Sequence, residues 1–171
     1  MATVLTLDEL NRLPLEGFTA ALADIYEHSD WIPASVHRLA PFAGVTALAA
    51  AMVDAVRRAG RDAQLALLRA HPELAGKAAQ AGTLTAHSTD EQRGAGLVNL
   101  SEAERQRIAE LNRAYQARFG FPFIIAVKNH DKAGILAEFE RRSGNDPETE
   151  LATCLEQVHH IARFRLDALL G

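Results

Sequence analysis

Three side chains in this chain carry chemistry at telling places: His71, Glu91 and Arg165. His71 precedes Pro72, and a residue before proline is biased away from helix, so His71 is expected at a helix end. Its imidazole changes charge near neutrality, which suits a general acid or base. A hydrogen-bonded or cationic cap of that helix end is the plainer reading. Glu91 follows Ser88 by three in Ser88-Thr89-Asp90-Glu91. That spacing reads as a capping box with the carboxylate turned back to the Ser88 backbone. Glu91, Ala95 and Val98 also share a helical face, so the carboxylate can equally look inward. Gln92 adds an amide donor and acceptor, and Ser88 with the N–H groups of its turn can receive an oxyanion.

Arg165 is the sharpest anomaly. With residues about 100° apart around a helix axis, Leu151, Leu155, Val158, Ala162 and Leu169 form one stripe, and Arg165 falls on it while Arg163 points away. An unpaired buried guanidinium costs several kcal/mol. Arg165 must therefore meet a carboxylate, snorkel from the helix end, or anchor an anion or carbonyl in a pocket. The remaining candidates are weaker. The chain has seven histidines but no HExxH, and His159 and His160 point to different faces, so no metal site is expected. No G-x-S-x-G, P-loop or G-x-G-x-x-G occurs. Cys154 lies about 60° off the apolar stripe and reads as core.

The elements that position these residues read as helices almost throughout. Thr6-Leu7-Asp8-Glu9 and Ser101-Glu102-Ala103-Glu104 have the capping-box form. Helical spacing predicts segments over Leu15 to Glu27, Trp31 to Leu39, Val45 to Ala59, Arg61 to about His71, Leu74 to Gly82 (helix or turn), Ser101 to about Arg118 and Asp131 to Arg142. Gly60 and Gly120 read as helix stops. Asp146-Pro147 reads as an N-cap with proline at the first position of a last helix that runs to about Leu170. Phe121-Pro122-Phe123-Ile124-Ile125-Ala126-Val127 is the one strand-like run, a strand or a buried extended segment. The expected architecture is all-α, a single domain of about eight helices over residues 1–171.

Composition narrows the function classes. Lys plus Arg is 18 and Asp plus Glu is 22 among 171 residues, a net charge of −4 that gives no pull toward nucleic acid or an anionic membrane. A single cysteine excludes an internal disulfide and fits a reducing compartment. No apolar run approaches the roughly 18 residues of a membrane span, and the N-terminus lacks the pattern of a secretory signal. A soluble cytoplasmic protein is expected.

Four ordered motifs add a resemblance. They are His71-Pro72-Glu73-Leu74-Ala75-Gly76-Lys77; Ser88-Thr89-Asp90-Glu91-Gln92 with Ala95-Gly96-Leu97; Phe119-Gly120-Phe121-Pro122-Phe123-Ile124; and Ile161-Ala162-Arg163-Phe164-Arg165-Leu166. Together they resemble the 2-oxo-4-hydroxy-4-carboxy-5-ureidoimidazoline (OHCU) decarboxylases of urate breakdown, from about Leu7 to Leu169. The family usually has HPDL where this chain has Glu73, a conservative departure beside the histidine. The resemblance implies an all-helical homodimer that uses no metal or organic cofactor and converts its ureide substrate to (S)-allantoin and CO2. It implies that His71, Glu91 and Arg165 are the charged catalytic residues. It further implies that Pro72, Ser88, Thr89, Asp90, Gln92, Phe123, Ile124, Ile125, Ala126 and Val127 contact substrate, several through backbone groups. A non-catalytic helical binding protein and an enzyme acting on a related ureide are the rival readings.

Overall fold

The computed structural model describes residues 5–76, 84–97 and 99–170. Among them are nine α-helices, two 3-10 turns and no strand, so the all-α expectation is met with one helix more than expected. No described helix is long and apolar enough to cross a membrane. Backbone contacts divide the chain into two compact units, one of Met1–Ala70 with His159–Gly171 and the other of His71–Val158.

The first unit holds α1 (Leu7–Asn11), α2 (Leu15–Ala21), α3 (Trp31–Val36), a 3-10 turn (His37–Leu39), α4 (Val45–Ala59), α5 (Arg61–Arg69) and the last turns of α9 (Pro147–Leu170). The expected Thr6 capping box forms: the Glu9 N–H donates to Thr6 Oγ1 at 3.1 Å and the Thr6 N–H donates to Glu9 Oε2 at 2.8 Å. Gly60 separates α4 from α5 with φ +90°, a conformation that L side chains rarely adopt. Phe18, Leu22, Ile32, Leu48, Met52, Leu67 and Leu68 are fully buried in this unit, as is Leu166 from α9.

One helix is shorter than its spacing suggests. The segment expected to stay helical to Glu27 leaves the helix after Ala21 and continues in tight turns, with the Ile25 N–H donating to Leu22 O and the Ser29 N–H to Tyr26 O. Ile25, Tyr26 and Glu27 are all buried. Three consecutive residues of an α-helix span about 200° of its circumference, so one helical face cannot bury all three, whereas the turns do.

The second unit holds α6 (Ala86–Gly94), α7 (Glu102–Phe119), a 3-10 turn (Val127–Asn129), α8 (Lys132–Arg142) and the first turns of α9. The Ser101 capping box opens α7, and Gly120 closes it with φ +77°. Asp146 caps α9 through the Thr149 N–H. Tyr115 is the hub of an aromatic core with Phe119, Phe121, Phe123 and Phe139, and the Phe123 and Phe139 rings stack at 4.0 Å. The strand-like run from Phe121 forms no strand; it is an irregular, buried segment that enters the Val127–Asn129 turn. The Ser88 capping box is also corrected. α6 starts earlier, at Ala86, with Thr85 as its N-cap accepting the Ser88 N–H, so Ser88 is a helical residue and Glu91 is released from that role. The expected segment Leu74 to Gly82 begins with a turn at Leu74 and Ala75. Its residues 77–82, with Lys77 and Gly82, lie outside the described residues, as does Val98.

His159 supplies a pH test of the first unit's packing. Its Nδ1 is 2.8 Å from the buried Tyr26 hydroxyl. Burial, with smaller pushes from Arg57 and His160, lowers its pKa from the ordinary value to about 4. Below the ordinary value the unfolded chain takes up this proton before the folded chain does. The stability due to neutral His159 is thus complete above about pH 6.5 and is lost as the pH falls toward about 4. Urea unfolding between pH 7.5 and 4.5 should show a shallower loss for His159→Asn than for the parent chain.

Candidate active site

His71 opens the second unit directly after α5 and its capping residue Ala70, and is only 8% exposed. The turn that follows it is pinned on both sides. The Ala75 N–H donates to Gln92 Oε1 of α6 at 3.0 Å, and Asn112 Nδ2 of α7 donates to the Leu74 carbonyl at 3.0 Å. Ala75 needs such support, because its φ of +48° is unfavourable for a residue with a Cβ. The next position has a steric reason to be glycine: a Cβ on Gly76 would lie 2.8 Å from Glu73 Cβ. Pro72 and Glu73 are half-buried.

Helix α6 presents Ser88 and Gln92 inward, one helical turn apart, and both are buried. Thr89 and Glu91 are half-buried and Asp90 is exposed. Gln92 is expected to contact substrate; here its oxygen is committed to the His71 turn, while its NH2 group is the end able to donate. α6 packs against the Val127–Asn129 turn, so the second unit joins the His71 turn, the 88–92 stretch and the end of the 123–127 segment.

Phe123, Ile124, Ile125, Ala126 and Val127 are all buried. Their backbone is held by side chains. Arg142 Nη1 donates to the Ile124 carbonyl at 2.7 Å, and its guanidinium lies 4.3 Å from the Phe123 ring centroid. Gln157 Oε1 accepts the Ala126 N–H at 3.0 Å. Arg142 is itself paired with Glu150 at 3.0 Å, and both residues are fully buried. Tyr115 Oη donates to Glu150 Oε1 at 2.5 Å, and Asn145 Nδ2 donates to its other oxygen at 2.9 Å. Cys154 Sγ lies 3.2 Å from both Arg142 Nη2 and Tyr115 Oη. Burial pushes the Tyr115 hydroxyl and the Cys154 thiol up, keeping both neutral. Cys154 is core, as expected.

Arg165 belongs to the first unit and is buried. Its Nη2 donates to Glu27 Oε1 at 2.9 Å and its Nη1 to the Asp24 carbonyl at 3.1 Å. Glu27 gives this buried guanidinium a carboxylate counter-charge. Arg163 points elsewhere, to Asp167 at 3.0 Å and to Thr46. Among the described residues no group of three or more His, Cys, Asp and Glu side chains is arranged to hold a metal ion.

Sequence reasoning missed Glu27, Asn112, Glu150, Gln157 and the anchoring role of Arg142. One signal was available: Ile135, Phe139 and Arg142 recur at helical spacing, so Arg142 lies on the inward stripe of α8. Glu27 gave none, because the helix was expected to continue through it.

A family model described as OHCU decarboxylase matches residues 11–167. The chain belongs to the OHCU decarboxylase family. It is 42% identical over 162 residues to the 2-oxo-4-hydroxy-4-carboxy-5-ureidoimidazoline decarboxylase of Haloferax volcanii, covering 95% of this chain and 94% of that protein. It is 40% identical over 166 residues to the protein of the same name from Mus musculus, covering 95% and 92%. Among solved structures it is similar to an (S)-allantoin synthase, with a TM-score of 0.79 and 34% identity over 97% of this chain; it spans 54% of that chain, about half. It also shares the fold of an OHCU decarboxylase crystallised with (S)-allantoin, with a TM-score of 0.71 and 21% identity over 88% of this chain and 97% of that one.

In this OHCU decarboxylase family member, Glu27 and Arg165 form a buried ion pair. Removing one partner of a buried ion pair leaves an uncompensated charge and costs about 3–5 kcal/mol. Glu27→Ala should lower the unfolding free energy by about that amount, read as a shifted urea midpoint with an unchanged slope.

Proposed function

We propose that this chain decarboxylates 2-oxo-4-hydroxy-4-carboxy-5-ureidoimidazoline to (S)-allantoin and CO2 in urate degradation, as a cytoplasmic homodimer without metal or organic cofactor. Family membership and full-length similarity to proteins of that name support the reaction. The observation that carries the mechanism is the buried His71 at the head of a turn pinned by Gln92 and Asn112. Such pins hold the backbone that carries His71, and a held backbone favours the fixed geometry that proton transfer in a transition state needs.

The substrate supplies its own electron sink. The carbon that loses CO2 also bears a hydroxyl and adjoins a C=N bond. As the C–CO2 bond breaks, its electron pair forms a C=C bond to the neighbouring ring carbon, and the C=N pair moves to nitrogen, which takes a proton. The resulting enol gives up its hydroxyl proton to become a carbonyl, while the neighbouring carbon accepts a proton on one face. His71 is the acid/base for the hydroxyl and reacting carbon. Glu91 accepts from the substrate and favours the useful charge state of His71. The amide of Gln92, Ser88 with the start of α6, Pro72 and the Phe123–Val127 segment form the surface that reads ring and ureido edges. Thr89 and Asp90 flank it. Arg165 is assigned to a carbonyl or ureido oxygen through its planar donor fork.

The test generates the unstable substrate in situ from urate and follows CO2 release and optical rotation. His71→Asn should slow the reaction by about 10²–10⁴-fold. His71→Asn and Arg165→Ala should both lower the initial enantiomeric excess. Parent rate and stereoselectivity in both variants would overturn these assignments. Racemic allantoin at the spontaneous rate from the unaltered chain would favour a binding protein, and another product a different ureide enzyme.

A further inference from the structure

We propose that Gln157 is a positioning residue for the decarboxylation: by accepting the Ala126 N–H it fixes the backbone of the Phe123–Val127 segment that faces substrate. This inference rests on the function proposed above and adds a residue that its assignments do not include. The argument starts from the segment's lack of regular structure. A buried backbone outside helix and sheet still requires partners for its N–H and C=O groups. Here the partners come from side chains, Arg142 for the Ile124 carbonyl and Gln157 for the Ala126 N–H.

Ala126 is the joint between this irregular segment and the following 3-10 turn. Its carbonyl accepts the Asn129 N–H at 3.0 Å, and its N–H is taken by Gln157. Both backbone groups are therefore engaged, and Ala126 acts through shape rather than as a free donor. The Val127–Asn129 turn packs on α6, which carries Ser88 and Gln92. A rotation at Ala126 would thus alter how Phe123–Val127 is presented relative to Ser88 and Gln92. Displacements of about 1 Å in a positioning element can cost on the order of 100-fold in rate. Gln157 is half-buried on α9, so its substitution spares the fully buried Arg142–Glu150 pair.

Two nearly isosteric variants separate the hydrogen bond from the packing. Gln157→Met keeps the chain length and removes the acceptor; Gln157→Glu keeps an oxygen acceptor. The readouts are CO2 release at saturating substrate supply and the initial enantiomeric excess of allantoin, measured on samples with parental helicity by circular dichroism. Gln157→Met should be about 10-fold to 100-fold slower and less stereoselective, and Gln157→Glu should recover most of both. A purely structural role would lower the melting temperature without changing the enantiomeric excess of the folded enzyme. Parent rate and stereoselectivity in Gln157→Met, or equal impairment in both variants, would overturn the proposal. If the unaltered chain itself yields racemic product at the spontaneous rate, the underlying function fails first and the inference falls with it.

Discussion

A buried backbone group that belongs to neither helix nor sheet still needs a hydrogen-bond partner, and side chains that supply one organise the second unit. The stretch from Phe121 to Ala126 is apolar enough to be buried, yet the described residues include no strand to pair with it. Arg142 reaches the Ile124 carbonyl, and a buried guanidinium then requires a counter-charge, which Glu150 provides. Glu150 in turn takes hydrogen bonds from Tyr115 and Asn145, so its oxygens are satisfied by more than the arginine. Each member thereby accounts for the burial of the next. Removing a single partner from such a pair costs about 3–5 kcal/mol, a large share of the 5–15 kcal/mol that typically holds a domain together.

The same solution recurs in the turn after His71. The left-handed backbone at Ala75, four residues after His71, is held by Gln92 and Asn112 from two different helices. In the first unit, the turns after α2 carry Glu27 into the interior beside Arg165. Helices supply rigid posts, and the chemistry-bearing segments are tied to those posts by amide and guanidinium side chains. Under the function proposed above, such ties would fix orientation before reaction and so lower the cost of reaching the transition state.

Local features were legible in the sequence because their causes are local. The Thr6 and Ser101 boxes, the stops at Gly60 and Gly120 and the Asp146 cap each depend on residues within a few positions, and all five form. Ser88-Glu91 misled because Thr85, three residues earlier, competes for the same role and wins. The Phe121 run looked like a strand because its composition suits a buried extended chain; whether it pairs depends on neighbours that no short window contains. Arg165 was correctly placed on the inward stripe, but its partner Glu27 lies 138 residues away in sequence. Arg142, Asn112 and Gln157 were illegible as anchors for the same reason: what they hold is a backbone atom elsewhere in the fold.

The central claim, that side-chain anchors hold the segments around the site, is tested most directly by hydrogen exchange at two backbone amides, Ala75 and Ala126. Neither lies in a helix, and each donates to a glutamine side chain. In the unaltered protein under native conditions, both should exchange far more slowly than an unstructured peptide, approaching the buried amides of α7. Exchange of both at the unprotected rate while α7 stays protected would contradict it.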